Sequence, residues 1–217
     1  MKATHQHASN LDLDQLTRQL EQQLQAGDIL FISIDAFLYK QVARGTGSWC
    51  SHVGFSIVEQ GRWYVLESKV PRVSKTPLRD FIARSCNGEV AVRRLPAPLS
   101  SSQIQSLKQA AAKRMGQWYH LGFDFDSKRQ YCSKFVYQVY REALGVELGK
   151  VQTLEQLLEQ NPQACVGFWR CWYLGFIPWQ RRTLTPTSQL HDPQLRTLFS
   201  HNIALESISE GATTQHA

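Results

Sequence analysis

The sequence lacks any long uninterrupted hydrophobic run. Its longest apolar stretch, Val166 to Trp179, is broken by Arg170 and is shorter than the roughly 20 residues that a membrane-spanning helix needs. Met1 to Asn10 has no apolar centre of the kind found in secretory signals, so we expect no secretion. Charged residues are scarce at 19%, whereas hydrophobic residues reach 42%. This balance excludes a disordered chain and predicts a folded protein with a substantial core.

Several ligand-binding motifs are also missing. Neither GxxxxGK[ST] nor GxGxxG occurs, so phosphate-loop and dinucleotide chemistry have no support, and we expect no cofactor. Lys and Arg exceed Asp and Glu by 24 − 18 = 6, which favours anionic surfaces in general. No basic run or nucleic-acid motif concentrates that charge. We therefore predict no nucleic-acid partner and leave peripheral contact with a membrane surface, through the Trp-rich segment, as an open alternative to core packing.

The cysteines are few, odd in number and irregularly spaced, which argues against a disulfide scaffold and for a reducing compartment. The five are Cys50, Cys86, Cys132, Cys165 and Cys171. A metal site using Cys50, His52 and the two downstream cysteines is one alternative, but no CxxC pair occurs and the spacing matches no zinc pattern. The sequence therefore predicts a cytoplasmic protein with no metal.

What the chain does contain is organised around the stretch from Arg129 to Gly145. From Cys132 onward, apolar residues recur at helical spacing, and Gly145 suits a C-terminal cap. Cys132 is therefore predicted at the start of a helix, where unpaired backbone N–H groups and the helix dipole favour a thiolate. The alternative is a small apolar residue packed in a helix, because free cysteines are often buried.

A second element, Ser51 to Ser68, contains two β-rich runs around a Gln60-Gly61 turn, which predicts a hairpin. A two-residue turn fixes the pairing so that Gly54 faces Glu67. His52 then lies on the same side of the sheet as Glu67 and diagonal to it, because side chains alternate along a strand. Diagonal neighbours are close enough for long side chains to meet. The turn alone thus predicts a carboxylate beside an imidazole.

Nucleophilic catalysis by a cysteine needs a base and a group that orients the base. Cys132, His52 and Glu67 fill these roles, in an order opposite to that of papain-type enzymes. Two alternatives stay open: His52 could be a structural residue, and Glu67 could be only the salt-bridge partner of Lys69 or Arg72.

His120 is the rival base, since it lies close to Cys132 in the sequence. No carboxylate on the same strand orients it, so we interpret it as loop packing or substrate wall. Asp124 and Asp126 are interpreted as caps of turns. Trp49, Tyr119 and Phe168 are candidate walls of a substrate pocket.

Local signals predict the remaining elements. Gly27 to Ile34 and Glu89 to Leu95 are predicted strands. A short helix is predicted to follow Thr76-Pro77. Capping boxes at Ser100 with Gln103 and at Thr153 with Gln156 predict two more helices, and the first of these two should extend to include Met115. A helix with Leu13, Leu16, Leu20 and Leu24 on one face should begin near Asn10 or Asp12. Met1 to Ser9 is predicted to be unstructured, Pro186 to Pro193 an ordered loop, and Glu206 to Ala217 a mobile tail. The predicted divisions are a helical extension at 1–26, one domain at 27–200 and a tail at 201–217.

Four motifs in this order resemble those of the YiiX/YebB-like proteins. They are Gly27-Asp-Ile-Leu-Phe31, Ser51-His-Val-Gly54, Leu66-Glu67 and Tyr131-Cys-Ser-Lys-Phe-Val136. This family belongs to the circularly permuted branch of the NlpC/P60 papain-like superfamily and is related to the lecithin–retinol acyltransferase group. The similarity is greatest to the YebB type and extends from about Gly27 to Pro186. The Ser-Lys after the cysteine departs from the Ser-Glu common in YiiX relatives.

The resemblance implies an α+β, circularly permuted papain-like fold, with an antiparallel sheet packed against the helix that carries the cysteine. It implies that Cys132 is the nucleophile, His52 the base and Glu67 the third polar residue. The expected function is a cysteine amidase, peptidase or acyl-transfer enzyme acting on an amide or ester in a peptide, lipid or cell-wall fragment. The alternative is a module of the same fold that grips an acyl chain or peptide without turnover. The sequence does not indicate an oligomeric state.

Overall fold

A six-stranded antiparallel sheet forms the centre of the protein in the computed structural model, which describes the backbone of residues 2–201 and the side chains of residues 13–86 and 88–200. The helices are α1 (Lys2–Gln23), α2 (Phe37–Gly45), α3 (Leu78–Ile82), α4 (Ser101–Ala112), α5 (Cys132–Leu144), α6 (Leu154–Gln160), α7 (Val166–Trp172) and α8 (Pro186–Leu190). The strands are β1 (Ile29–Ile34), β2 (His52–Glu59), β3 (Arg62–Ser68), β4 (Val73–Pro77), β5 (Ser85–Arg94), β6 (Gln152–Thr153), β7 (Arg182–Thr183) and β8 (Arg196–His201). None of the helices in this part of the chain has both the length and the apolar character needed to cross a bilayer.

The strand order in the main sheet is β4-β3-β2-β1-β5-β8, and β6 pairs with β7 separately. The predicted hairpin is confirmed, because β2 and β3 pair with Gly54 opposite Glu67. Gln60 and Gly61 both have positive φ, at 51° and 74°. That is the backbone a type I′ turn requires, and its twist matches that of the flanking strands. The turn therefore sets the position of Glu67 relative to the start of β2.

Apolar side chains cover both faces of the sheet. On one face Phe55 packs against Phe135 and Tyr140 of α5, with ring centroids 5.9 and 5.6 Å apart. The Tyr140 hydroxyl also donates to the carbonyl of Gly27, 2.5 Å away. On the other face α1 and α3 supply buried residues such as Leu20 and Phe81. The helix that begins with Cys132 is thus fixed against the central strand β2.

Most local predictions are confirmed. Both capping boxes are formed, at the starts of α4 and α6, and α3 follows Thr76-Pro77. The predicted strands correspond to β1 and β5. Helix α4 is shorter than expected, since it ends at Ala112 and leaves Met115 outside with 41% of its surface exposed.

Two predictions of irregular structure are wrong. Helix α1 extends back to Lys2, because residues 2–9 contain no glycine or proline to stop it. The segment expected to be a loop at 186–193 contains α8 and leads into β8, which pairs with the edge of β5. Pairing with β8 satisfies backbone hydrogen-bonding groups of β5. The polar sequence of this segment gives no sign that β5 needs such a partner. The predicted tail from Glu206 to Ala217 lies outside the described residues.

Candidate active site

Cys132 is the first residue of α5, as predicted. Tyr131 before it is extended and gives the first turn no side-chain hydrogen bond, and no acidic residue lies in that turn. The backbone N–H groups at this end have no partner within the helix. Cys132 is 3% exposed. The start of α5 therefore presents a cysteine together with amide donors that could bind a negatively charged oxygen.

His52 and Glu67 meet in the interior, as the pairing of the hairpin predicts. Nε2 of His52 lies 2.5 Å from Oε2 of Glu67, and both side chains are fully buried. Gly54 makes this contact possible. A Cβ at Gly54 would lie 2.5 Å from Cγ1 of Val65 and 3.1 Å from Cβ of Glu67. A larger residue at this position would clash with the strand that carries Glu67.

The other side of the imidazole is next to Cys132. Nδ1 of His52 is buried and has no hydrogen bond of normal geometry within the described side chains. Burial lowers the pKa of His52, but hydrogen bonding and charge interaction with Cys132 and Glu67 more than offset this, so the pKa is raised overall. A raised imidazole pKa beside a sulfur favours a thiolate–imidazolium pair. The structure thus brings the three predicted catalytic side chains together.

Glu67 has further partners that the sequence did not reveal. Thr76 donates its hydroxyl to Oε1 at 2.6 Å, and one guanidinium nitrogen of Arg84 lies 2.7 Å from each carboxylate oxygen. Burial raises the pKa of Glu67, but His52 and Arg84 lower it to about 2. Of the partners considered from the sequence, Lys69 is 3.8 Å away, whereas Arg72 lies over the Trp118 ring. Thr76 was missed because β4 was not predicted.

Cys132 lines a cavity with mostly apolar walls. Helix α6 contributes Leu154, Leu157 and Leu158, and α7 contributes Trp169. His52 is not among the residues that line this cavity. A substrate group bound among these side chains would therefore meet Cys132 rather than His52.

The predicted pocket residues fall in different places. Tyr119 lines the cavity and is buried, and burial together with the nearby Cys132 raises its pKa well above the ordinary value. Trp49 packs against the main core, and Phe168 stacks on Trp172; neither is among the residues that line this cavity. Tyr39 of α2 was missed, although it lines the cavity and its ring meets that of His52 at 5.8 Å.

The loop before Cys132 is held by structural contacts. Nδ1 of His120 accepts hydrogen bonds from the backbone N–H groups of Gly122 and Asp124, at 3.1 and 3.4 Å, which agrees with its interpretation as loop packing. Lys134 is fully buried, and its Nζ donates to the carbonyls of Ser127 and Arg129. The lysine that departs from the family pattern therefore secures the loop that leads into α5.

A cysteine at the start of a helix, packed on an antiparallel sheet whose histidine comes earlier in the chain, is the arrangement of a circularly permuted papain-like enzyme. The family model described as "Permuted papain-like amidase enzyme, YaeF/YiiX, C92 family" matches residues 23–199. The chain belongs to this family, as its sequence motifs indicated.

Two relatives from Escherichia coli are similar to this chain. The uncharacterized protein YiiX of strain K12 is 34% identical over 176 residues, which cover 81% of this chain and 86% of YiiX. The crystal structure of the metalloprotein yiiX from strain O157:H7 superposes with a TM-score of 0.77 at 34% identity, covering 82% of this chain and 98% of that one. The greater likeness to the YebB type stays an expectation from the motifs.

The description of the O157:H7 protein as a metalloprotein raises the question of a metal here. Within residues whose side chains are described, no group of three His, Cys, Asp or Glu side chains is placed to hold an ion. Cys50 and His52 are buried, whereas Cys165 and Cys171 are exposed on or beside α7. These donors do not fit a metal centre.

Proposed function

We propose that this protein is a cysteine amide hydrolase that uses Cys132, His52 and Glu67 as a catalytic triad and accepts substrates with an apolar acyl group. The observation that carries the proposal is the position of Cys132. Cys132 lines the apolar cavity and interacts with an imidazole that a buried carboxylate holds through Nε2.

In the first step, the Cys132 thiolate attacks the amide carbonyl carbon and a C–S bond forms. The amide N–H groups at the start of α5 are the candidate donors to the negatively charged oxygen. The C–N bond then breaks, and the imidazolium of His52 gives its proton to the leaving amine. Glu67 keeps the ring oriented and stabilises its charged form.

In the second step, water attacks the thioester, and His52 takes a proton from that water. The C–S bond breaks, releasing the carboxylic acid and restoring Cys132. An amine or alcohol in place of water would give acyl transfer, and an ester in place of the amide would follow the same path. The apolar walls supply no charged partner, so an uncharged hydrocarbon acyl group suits them better than a polar peptide.

The test uses aminomethylcoumarin amides of acetic, octanoic and dodecanoic acid. We expect hydrolysis to be faster for the longer acyl groups. Cys132→Ala should lower the rate at least about 10³-fold, because no other group can form the thioester. Cys165→Ser, at an exposed cysteine of the same chain, is the matched control and should keep the rate. Hydrolysis that survives in Cys132→Ala, or thiol-probe labelling that moves to another cysteine, would reject this nucleophile.

A second candidate function is a module that holds an acyl chain at a membrane surface without turnover. The exposed loop after α7 favours it, since Leu174 is 92% and Phe176 88% exposed. The two functions differ in the reactivity of Cys132. In an enzyme, iodoacetamide should react with it well below the pH of about 8.5 at which ordinary thiols ionise. In a binding module the same thiol should react slowly until that pH is reached.

A further inference from the structure

The carboxylate of Glu67 has a cationic partner whose charge does not change. Arg84 follows α3 and places one guanidinium nitrogen 2.7 Å from both carboxylate oxygens. The Arg84 side chain is 28% exposed, whereas that of Glu67 is 0% exposed. Its guanidinium lies over the Phe81 ring at 5.2 Å, and that ring packs against His52 with centroids 5.9 Å apart. Arg84 is thus built into the wall behind the imidazole.

The catalytic cycle makes this partner necessary. A buried carboxylate is costly unless a positive charge accompanies it. His52 provides one only while it is protonated, and in the proposed reaction it loses that proton to the leaving amine. Arginine stays charged throughout. Without it, the buried pair would favour the neutral arrangement, in which Glu67 takes the proton of His52 and no imidazolium remains beside Cys132.

We propose that Arg84 is a positioning residue of this active site, which keeps Glu67 ionised and directed at Nε2 of His52 while the imidazole gains and loses its proton. This inference rests on the proposed function, because it concerns the protonation cycle of the catalytic base. It extends the predicted triad by one residue that touches neither substrate nor sulfur.

The other charged and titratable groups around Glu67 cannot take this role. Lys69 lies 3.8 Å from Oε1, is 32% exposed and directs its amine to Thr76, so solvent weakens its interaction. Thr76 is neutral. Tyr39 interacts with Glu67 from α2, but burial raises its pKa above the ordinary range, so it stays uncharged. Cys132 faces the imidazole from the opposite side.

The experiment measures the rate at which iodoacetamide alkylates Cys132, followed by mass spectrometry of its peptide, from about pH 4 to pH 9. Arg84→Met removes the charge and keeps an apolar stem over Phe81. Arg84→Lys keeps the charge. Arg79→Met is the matched control, because Arg79 of α3 forms an exposed ion pair with Asp14, 2.7 Å away. This ion pair does not involve Glu67. Thermal melting of each variant checks that it is folded.

We expect the wild type to react well below pH 8.5. Arg84→Met should be slower by between about 10-fold and 100-fold near neutral pH, as when a catalytic group is misplaced, and its profile should shift toward that of an ordinary thiol. Arg84→Lys should recover most of the rate, and Arg79→Met should match the wild type. Should Arg84→Met fail to fold, Arg84→Gln carries the same expectation.

Two results would overturn the inference, and they differ. An Arg84→Met or Arg84→Gln profile that equals the wild type in rate and in pH dependence means that Glu67 stays ionised without Arg84. The proposed function would then survive. A wild-type profile that already resembles an ordinary thiol would instead remove the proposed function and the role of Arg84 with it.

Discussion

The two sides of the His52 imidazole have opposite character. On the Nε2 side, Glu67, Thr76 and Arg84 form a closed cluster in which both carboxylate oxygens accept hydrogen bonds. On the Nδ1 side, the ring meets the Cys132 thiol at the wall of an apolar cavity. On the polar side both oxygens of Glu67 have partners, and the apolar side leaves a nitrogen and a sulfur available.

This difference indicates how one ring can be both rigid and reactive. A base that shuttles protons must be held through one nitrogen so that the other points at the reacting group. Charged hydrogen bonds in a buried site hold the ring more firmly than neutral ones. The apolar side keeps water away from the sulfur. Removing polarity from the first side should therefore harm catalysis more than a small change in the second.

The largest effect is expected from Glu67→Gln, which keeps the shape of the polar side but removes its charge. The amide can present a donor to Nε2, favouring the wrong tautomer of His52, and it leaves Arg84 without a counter-charge. We expect the rate of amide hydrolysis to fall at least about 10²-fold. The measurement is kcat/KM with the dodecanoyl amide.

Glu59→Gln is the matched control for that change. Glu59 lies in the same hairpin, but its ion pair with Lys75 is exposed, with an N–O distance of 2.6 Å, so its loss should leave the rate unchanged. A Glu67→Gln enzyme as active as the control would show that the charged cluster does not serve the imidazole.

A smaller effect is expected from Gly54→Ala, which forces apart the strands that bring the two polar side chains together. The added Cβ would meet Val65 Cγ1 at 2.5 Å and the Leu66 carbonyl oxygen at 2.8 Å. We expect a loss of about 1–3 kcal/mol in the free energy of unfolding, measured by urea denaturation, and slower alkylation of Cys132 at neutral pH.

Gly167→Ala is the comparison for Gly54→Ala, because a Cβ there would lie 4.0 Å from Cys165 Sγ, its nearest neighbour apart from the adjoining residues and the backbone of its own helix. Alanine favours helices, so this variant should be at least as stable as the wild type. If Gly54→Ala proved equally harmless, the close approach of the strands would not be needed for the contact between His52 and Glu67.

The sequence predicted the contact between His52 and Glu67 because one local feature determined it. A two-residue turn fixes the pairing of its strands, and alternation along the strands then fixes which side chains share a face. The helix start at Cys132 was equally local, since periodicity and a C-terminal glycine define it. The nearness of Cys132 to His52 was not local, and the resemblance to the family supplied it.

What the sequence could not predict depends on segments that return from elsewhere. Arg84 reaches Glu67 only because β4 and α3 bring the chain back beside β3, and short polar strands such as β4 have no distinctive pattern. Tyr39 enters the cavity from a helix with no marked signal. Phe168 looked like a pocket wall because it is aromatic, yet its ring stacks on a neighbouring tryptophan.

The smallest effect should come from the apolar side, through the capping box of α6. Thr153 caps the helix that carries Leu154, Leu157 and Leu158 along the cavity. Thr153→Ala should lower the free energy of unfolding by about 1 kcal/mol and loosen that wall. We expect the preference for dodecanoyl over acetyl amide to weaken a few-fold, while alkylation of Cys132 stays unchanged, because the imidazole is held from the other side.

Ser100→Ala separates the effect of lower stability from the effect of loosening the cavity wall that α6 forms. Ser100 forms the same kind of capping box at the start of α4, and none of the residues that line the cavity belongs to that helix. It should lose similar stability and keep the full acyl preference. An equal loss of preference in both variants would mean that general destabilisation, rather than the wall built on α6, sets the choice of acyl group.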